Sequence, residues 1–373
     1  MSAHATLLLA LVGACPALRA QEAEPMPAEP AENLTPRAVI EDVPRIGYDV
    51  HLCPFPGSLL AVMQFLGEPV DYDYIMGVTG AAFRRIWNRD DGGNVDLMYL
   101  EPEPHQRAFA ALGYEFSTVP RKDKAAMVAA IKASVAEGRP VLGCVLIQPP
   151  EYGIVTGYDQ DGETLIGWSY FQDYSKPGYC EVPGWFEKME GGPDVGLILV
   201  GEKREERLTE REVLIGCLEW AIDLARTAKR PNLPDHVCGL AAHDAWGDGL
   251  EVDADYPLDD AKALETRAMV HCDQCVMLHE RGSAAKFLRQ MAMAVPEAAE
   301  RLSAAAVLYE EAAACGAGLW RWGHWADATT QQEFAQADSR HKMAGLVRQA
   351  REREALAVAE LEQALADLRG ETP

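Results

Sequence analysis

Between residues 53 and 137 the apolar positions recur mainly at helical spacing. In SLLAVMQFLG, Leu59, Leu60, Met63 and Leu66 share one helix face. Pro54 and Pro56 suit a first helical turn, and Gly67 suits its end. Asp71–Val78, His105–Leu112 and Asp123–Ala136 predict further helices, the last stopping before Gly138. From Arg139 the period changes. PVLGCVLI (140–147) predicts a buried strand and Tyr152–Tyr158 a second. Gln160-Asp161-Gly162 predicts a turn, after which Glu163–Tyr170 pairs back. Tyr179–Val182 and Val195–Gly201 are shorter candidates. Runs this close together, joined by turns, predict a mostly antiparallel sheet. Beyond residue 202 the pattern is helical again. Leu214, Leu218, Ala221, Ile222 and Ala225 mark one stripe, and Pro257–Val295, Pro296–Trp322 and Gln332–Leu368 supply others. The expected fold class is α+β: a domain over 39–201, with a helical half and then an antiparallel sheet, followed by an all-α domain over 202–373.

The first residues read differently. Ala5–Ala14 is apolar, and Ala-Leu-Arg-Ala could end a cleaved signal peptide at Ala20, although Met1–Thr6 carries no Lys or Arg. Val12-Gly13-Ala14-Cys15 also resembles a lipobox, in which a lipidated Cys15 would anchor the chain to a membrane. Residues 21–38 are rich in Pro, Glu and Ala and predict an extended linker. The expected location is therefore outside the cytoplasm, in the periplasm or cell envelope. A cytoplasmic chain with a short apolar N-terminal helix is the alternative. No apolar run approaches the roughly 20 residues of a membrane-spanning helix.

Charge and composition narrow the partners. The chain has 34 basic and 58 acidic residues, a net charge of −24 carried by both halves. Such a surface repels phosphate backbones, which excludes nucleic acid as a partner. A hydrophobic content of 48% supports a sizeable core. Nine cysteines are too dispersed for a disulfide scaffold. In an exported protein so many thiols would be driven to pair, which stands in tension with the export reading.

Cys53 carries the most chemistry, because it stands at the predicted start of a helix. The partial positive charge there stabilises a thiolate, the form a nucleophile needs. The aromatic positions Tyr152, Tyr158, Trp168, Tyr170 and Trp185, with Asp173 nearby, are candidates for a cleft that holds a peptide or small molecule. His271-Cys272-Asp273-Gln274-Cys275 with His279 brings one C-x-x-C and no second ligand pair, so it reads as buried helix cysteines rather than a metal site. His243-Asp244 reads as a helix contact, Met76–Phe83 as a turn with close packing, and Trp320, Trp322 and Trp325 as core and interface anchors. No cofactor is expected.

A cysteine heading a helix, then a β half, is the layout of papain-like cysteine enzymes. His51-Leu52-Cys53-Pro54-Phe55-Pro56-Gly57-Ser58, the apolar strand before residue 150, and Glu151-Tyr152-Gly153-Ile154-Val155-Thr156-Gly157-Tyr158-Asp159 resemble the group that includes bacteriocin-leader cysteine peptidases and the N-terminal domain of butirosin biosynthesis protein H, an acyltransferase. Glu280-Arg281-Gly282-Ser283-Ala284-Ala285-Lys286-Phe287-Leu288, followed by the helix ending Leu319-Trp320, resembles the helical domain that accompanies the latter. The resemblance covers about residues 45–325 and implies Cys53 as nucleophile. It also implies a histidine at the start of the second strand, where this chain has Glu151 or Tyr152. The Asp or Asn that would orient that histidine is replaced by Gly167-Trp168-Ser169, with Asp173 just beyond. No glutamine stands just before Cys53 to complete an oxyanion hole; Gly47, Tyr48, Asp49 and His51 stand there instead.

These departures leave His51, His105 or Glu151 as the proton acceptor, the last if burial raises its pKa. Three functions are open. Cys53 attacks an acyl or peptide carbonyl and passes the acyl group to water or an amine. Alternatively, a papain-like domain without a working base binds a peptide or small molecule. The third is a structural or assembly role in the envelope.

Overall fold

The computed structural model of the chain describes residues 36–91, 102–147, 149, 151–189, 194–320 and 328–371. The predicted signal segment with Cys15, the linker up to residue 35, Trp322 and Trp325 lie outside them. No helix among the described residues is long and apolar enough to cross a membrane.

After a short strand β1 (Ala38–Val39) comes α1 (Pro54–Phe65), buried from Pro54 to Met63. A helix apolar on all sides belongs inside a fold, and α1 is the central helix of this half. Helix α2 (Tyr72–Thr79) is capped by Asp71, whose side chain accepts the Tyr74 N–H. It ends at Gly80 in the left-handed conformation, where a Cβ would stand 2.3 Å from the Trp220 ring nitrogen. A two-residue strand β2 (Ile86–Trp87), α3 (Glu103–Leu112), β3 (Tyr114–Pro120) and α4 (Lys124–Ala136) follow.

The predicted sheet forms from β4 (Val141–Gly143), β5 (Gly153–Asp159), β6 (Thr164–Trp168), β7 (Cys180–Pro183) and β8 (Val195–Lys203). Its order is β3-β8-β4-β5-β6-β7, with β1 also beside β5, and every pairing is antiparallel. Two differences from the sequence pattern have physical causes. β3 interrupts the stretch expected to be helical, because its partner β8 lies far along the chain and only the tertiary fold supplies it. The apolar run 140–147 contributes only Val141–Gly143 to the ladder, while Cys144, Val145 and Leu146 are buried off it. A continuous apolar run marks burial, not strand length.

The rest is helical: α5 (Glu210–Arg226), α6 (Leu240–Leu250), α7 (Ala261–His279), α8 (Arg281–Ala294), α9 (Ala299–Leu319), α10 (Ala328–Ala335) and α11 (Ala337–Arg369). A small strand β9 (Val237–Cys238) pairs with β2, tying the helical half to the α1–α2 segment. α8 packs on α2 and α9, and α11 lies along α9, α6 and α5. One hydrophobic cluster runs from Ile40 through the sheet to Leu368, so both halves share a core. Trp320 departs from its expected anchoring role and is 38% exposed.

The helical pattern over Pro257–Val295 divides at Glu280 into α7 and α8. Glu280 closes α7 and Arg281 opens α8. Both are buried. All five N–H donors of Arg281 are used. Nε and Nη2 grip Glu354 at 2.9 and 2.7 Å, and the others reach the carbonyls of Ala82, Phe83 and Met277. Glu354 also bonds His243 Nε2 at 2.9 Å. Burial pushes the Glu354 carboxyl up, but the Arg281 charge and the His243 bond outweigh it and hold the group ionised. His243 is kept neutral by burial, with its pKa near 4, so its Nε2–H donates to Glu354. Thus α7–α8 and α11 close around the Ala81–Arg85 segment.

Leaving Arg281 buried without its counter-charge should cost about 3–5 kcal/mol, so Glu354→Leu is expected to lower urea-unfolding stability by that amount. Combining it with Arg281→Met should fall well short of the two single losses added together. Additive losses would mean that the pair is not energetically coupled.

Candidate functional site

Cys53 is the N-cap of α1, with extended backbone and Pro54 in the first turn. Its sulfur is fully buried and accepts a hydrogen bond from Arg84 Nη2 at 3.5 Å. The other arm of the same guanidinium, Nη1, donates to Glu280 Oε2 at 2.8 Å and to the Ala81 carbonyl. One arginine therefore bridges the thiol and a carboxylate, with both charged side chains out of water. Oε1 of Glu280 has no hydrogen-bond partner among the described residues. Burial pushes the Glu280 carboxyl up, against the pull of Arg84 and Arg281. The guanidinium and the helix N-terminus both favour a thiolate at Cys53.

Aromatic groups hold the cysteine's peptide units. The Cys53 N–H donates to the Tyr72 hydroxyl oxygen at 3.1 Å, and the Tyr170 hydroxyl lies 3.5 Å from the Cys53 carbonyl. Tyr170 reaches so close because residue 57 is glycine; a Cβ there would stand 2.2 Å from its oxygen. The His51 ring stacks on Tyr72 at 4.0 Å, nearly parallel. Burial lowers the His51 pKa, with Asp73 opposing, so this imidazole is a weak base. Burial pushes the Tyr72 phenol well up, and nearby Cys53, Glu280 and Tyr170 add to the shift, so the four groups share one neighbourhood.

At the rim, Tyr48 packs edge-on against Tyr170 (4.9 Å) and Phe171 (6.0 Å). Its hydroxyl bonds the Glu151 carboxyl. Burial raises Glu151 to about 7, the Tyr48 bond pulls the other way, and the charge of Asp273 on α7 adds to the rise. The carboxyl thus titrates in the range of a general acid or base, and the helical half contributes to that setting.

Of the predicted site residues, Cys53, His51 and Tyr170 come together, and Glu151 joins them through Tyr48. Tyr152 is buried behind α1. Its ring packs on Phe55 (4.9 Å), its hydroxyl meets His105 Nε2 at 3.1 Å, and its carbonyl accepts the Ser58 hydroxyl at 3.0 Å. His105 is thus directed at Tyr152, and burial holds its pKa near 4. Other aromatic candidates serve the sheet instead. The Trp168 indole donates to the Val43 carbonyl, the Trp185 indole to Gly162, and Tyr158 lies under Lys132. Asp173 is exposed and bonded to Ser175. Among the described residues no group of three His, Cys, Asp or Glu could hold a metal ion. Burial pushes the thiols of Cys180 to about 11 and of Cys217 and Cys272 to about 12, and it raises Cys275 and Cys315 as well.

Arg84, Glu280, Tyr72 and Tyr48 were not among the site residues read from the sequence. A signal existed for the first two: charged residues embedded in the apolar contexts GAAFRRIW and MLHERGSAA are ones that burial must pair. No protein-family model matches the chain, and no curated protein matches it. The papain-like resemblance therefore stands on the residues of this chain.

Glu151 has a consequence for stability. Its pKa is about 7 in the folded chain against an ordinary 4.5. Between these values the folded state keeps a proton that the unfolded state has lost, so stability falls as pH rises through this window and stays lower above it. Glu151→Gln should remove that part of the decline, read from urea midpoints at about pH 4.5 and about pH 8. An unchanged pH slope would show that the carboxyl ionises normally in the fold.

Proposed function

We propose that this chain is a papain-like protein that uses Cys53 as a nucleophile on a carboxylic acid derivative, either to transfer an acyl group or to cleave an amide. The observation that carries this reading is the single Arg84 guanidinium bridging Cys53 Sγ and Glu280. A buried site resists a change in net charge. The thiol therefore ionises most readily if its proton passes to Glu280, whose pKa burial raises and whose Oε1 has no hydrogen-bond partner among the described residues. Arg84 faces a carboxylate before this transfer and a thiolate after it.

The thiolate attacks the carbonyl carbon and forms a C–S bond. The tetrahedral intermediate collapses, and the leaving amine or alcohol takes the proton from Glu280. Water or an amine then attacks the thioester, yields its proton to Glu280, and releases Cys53. Glu280 and Arg84 thus take the part that an imidazole has in the papain-like resemblance, and no cofactor is called for. The contact between α1 and β5, stitched by Ser58 and the Tyr152 carbonyl, supports the papain-like reading.

A second reading, a papain-like module that binds a peptide or small molecule without turnover, is favoured by one observation. Cys53 is 0% exposed, so a carbonyl reaches its sulfur only if a flanking side chain moves.

Labelling with iodoacetamide at neutral pH, followed by peptide mass mapping, separates the two. The nucleophile reading expects Cys53 to react on the order of ten-fold faster than Cys180, Cys217 and Cys272, whose thiols stay protonated at neutral pH. It also expects a thioester on Cys53 after treatment with a p-nitrophenyl ester, absent in Cys53→Ala. Labelling no faster than an ordinary thiol, with no thioester, would favour the binding module.

A further inference from the structure

The reading of Cys53 as an acylating thiol leaves one requirement unassigned. When the thiolate adds to a carbonyl, the oxygen becomes an anion and needs a hydrogen-bond donor at that moment. No glutamine stands just before Cys53 to supply one, and the donor that nucleophiles commonly offer, their own backbone N–H, is already engaged. Here the Cys53 N–H points at the Tyr72 oxygen, 3.1 Å away.

Tyr72 is well placed to take over that role. It opens α2, whose N-cap Asp71 accepts the Tyr74 N–H at 2.8 Å and the Gln290 side-chain N–H at 2.7 Å, so the start of the helix is pinned to α8. The parallel stack on His51 holds its ring. Because its oxygen accepts the Cys53 N–H, its own proton is directed elsewhere. The groups that bear on it electrostatically, Cys53, Glu280 and Tyr170, are those of the reacting side of the site. Burial keeps the phenol protonated across the working range, so the proton is there to donate. A donor that itself accepts a hydrogen bond is strengthened by it, so the Cys53 N–H makes Tyr72 a better donor.

We propose that Tyr72 is a catalytic residue, whose hydroxyl, polarised by the Cys53 N–H, donates to the oxyanion formed when Cys53 adds to a carbonyl. No bond of Tyr72 is made or broken; the phenol keeps its proton throughout. This inference rests on the nucleophile reading of Cys53.

Two reagents that meet the same sulfur separate the roles. Iodoacetamide alkylates it by displacement, with no oxyanion. p-Nitrophenyl acetate acylates it through a tetrahedral oxyanion. Tyr72→Phe in the full chain should slow acylation by about 100-fold while leaving alkylation unchanged. Replacing Tyr72 with 3-fluorotyrosine, which keeps the ring and alters the phenol's acidity, should change the acylation rate alone, and this test holds even if the phenylalanine variant folds poorly. An acylation-to-alkylation ratio unchanged in both variants would overturn the proposal, as would an equal slowing of both reactions, which would mark Tyr72 as a positioning residue. If neither reagent modifies Cys53 in the unaltered protein, the nucleophile reading itself fails.

Discussion

A fully buried ion pair, Arg84 with Glu280, sits where the two halves of this protein meet. Its cost is large, because two charges leave water for a low-dielectric interior, and replacing such pairs with apolar residues is often neutral or even stabilising. Stability alone is a weak reason to keep it. The position of the pair supplies a stronger one. Arg84 has one hand on Glu280 and the other on the Cys53 sulfur. The next residue along, Arg281, is spent on Glu354, on the carbonyls of the segment that carries Arg84, and on the Met277 carbonyl. The α7–α8 break thus delivers two side chains with different tasks: Arg281 fixes the segment, and Glu280 sets the charge beside the cysteine.

The helical half is therefore part of the candidate site rather than an accessory to it. Glu280 comes from the α7–α8 junction, and Asp273 of α7 acts on Glu151 at the rim. Gln290 of α8 braces the start of α2, and with it Tyr72. In the proposed chemistry these contributions replace what an imidazole and its orienting partner would supply from the sheet. Of the two residues that stand where the papain-like resemblance expects a histidine, Glu151 bonds Tyr48 and Tyr152 is locked between Phe55, His105 and Ser58 as packing for α1.

Much of the frame was legible because it is encoded locally. Proline in the first turn and apolar residues at helical spacing announced α1, Asp123 announced the start of α4, and the Gln160–Gly162 turn announced the β5–β6 pairing. The α+β class followed from the change of period at Arg139. What escaped depends on distant partners. β3 is a strand because of β8, the β2–β9 ladder is two residues long, and Glu280 and Arg281 are buried charges because Arg84 and Glu354 wait inside. The site divided the same way. Cys53 was visible from its helix. Arg84 and Glu280 stand almost two hundred residues apart and looked like ordinary charges until the fold buried them together. Trp168, Tyr158 and Asp173 were drawn into the candidate cleft by residue type, whereas their hydrogen bonds and packing commit them to the sheet and its turns.

The most direct measurement is the pH titration of the Cys53 thiolate by its ultraviolet absorbance, isolated by subtracting the Cys53→Ala protein. With Arg84 on the sulfur, Cys53 should ionise below the ordinary thiol value of about 8.5. In the Arg84→Met, Glu280→Gln double variant, which removes both buried charges and leaves α1 intact, the midpoint should rise to that value or beyond. A Cys53 that titrates at or above the ordinary value in the unaltered protein, or whose midpoint does not move in the double variant, would contradict the role assigned to the Arg84–Glu280 pair.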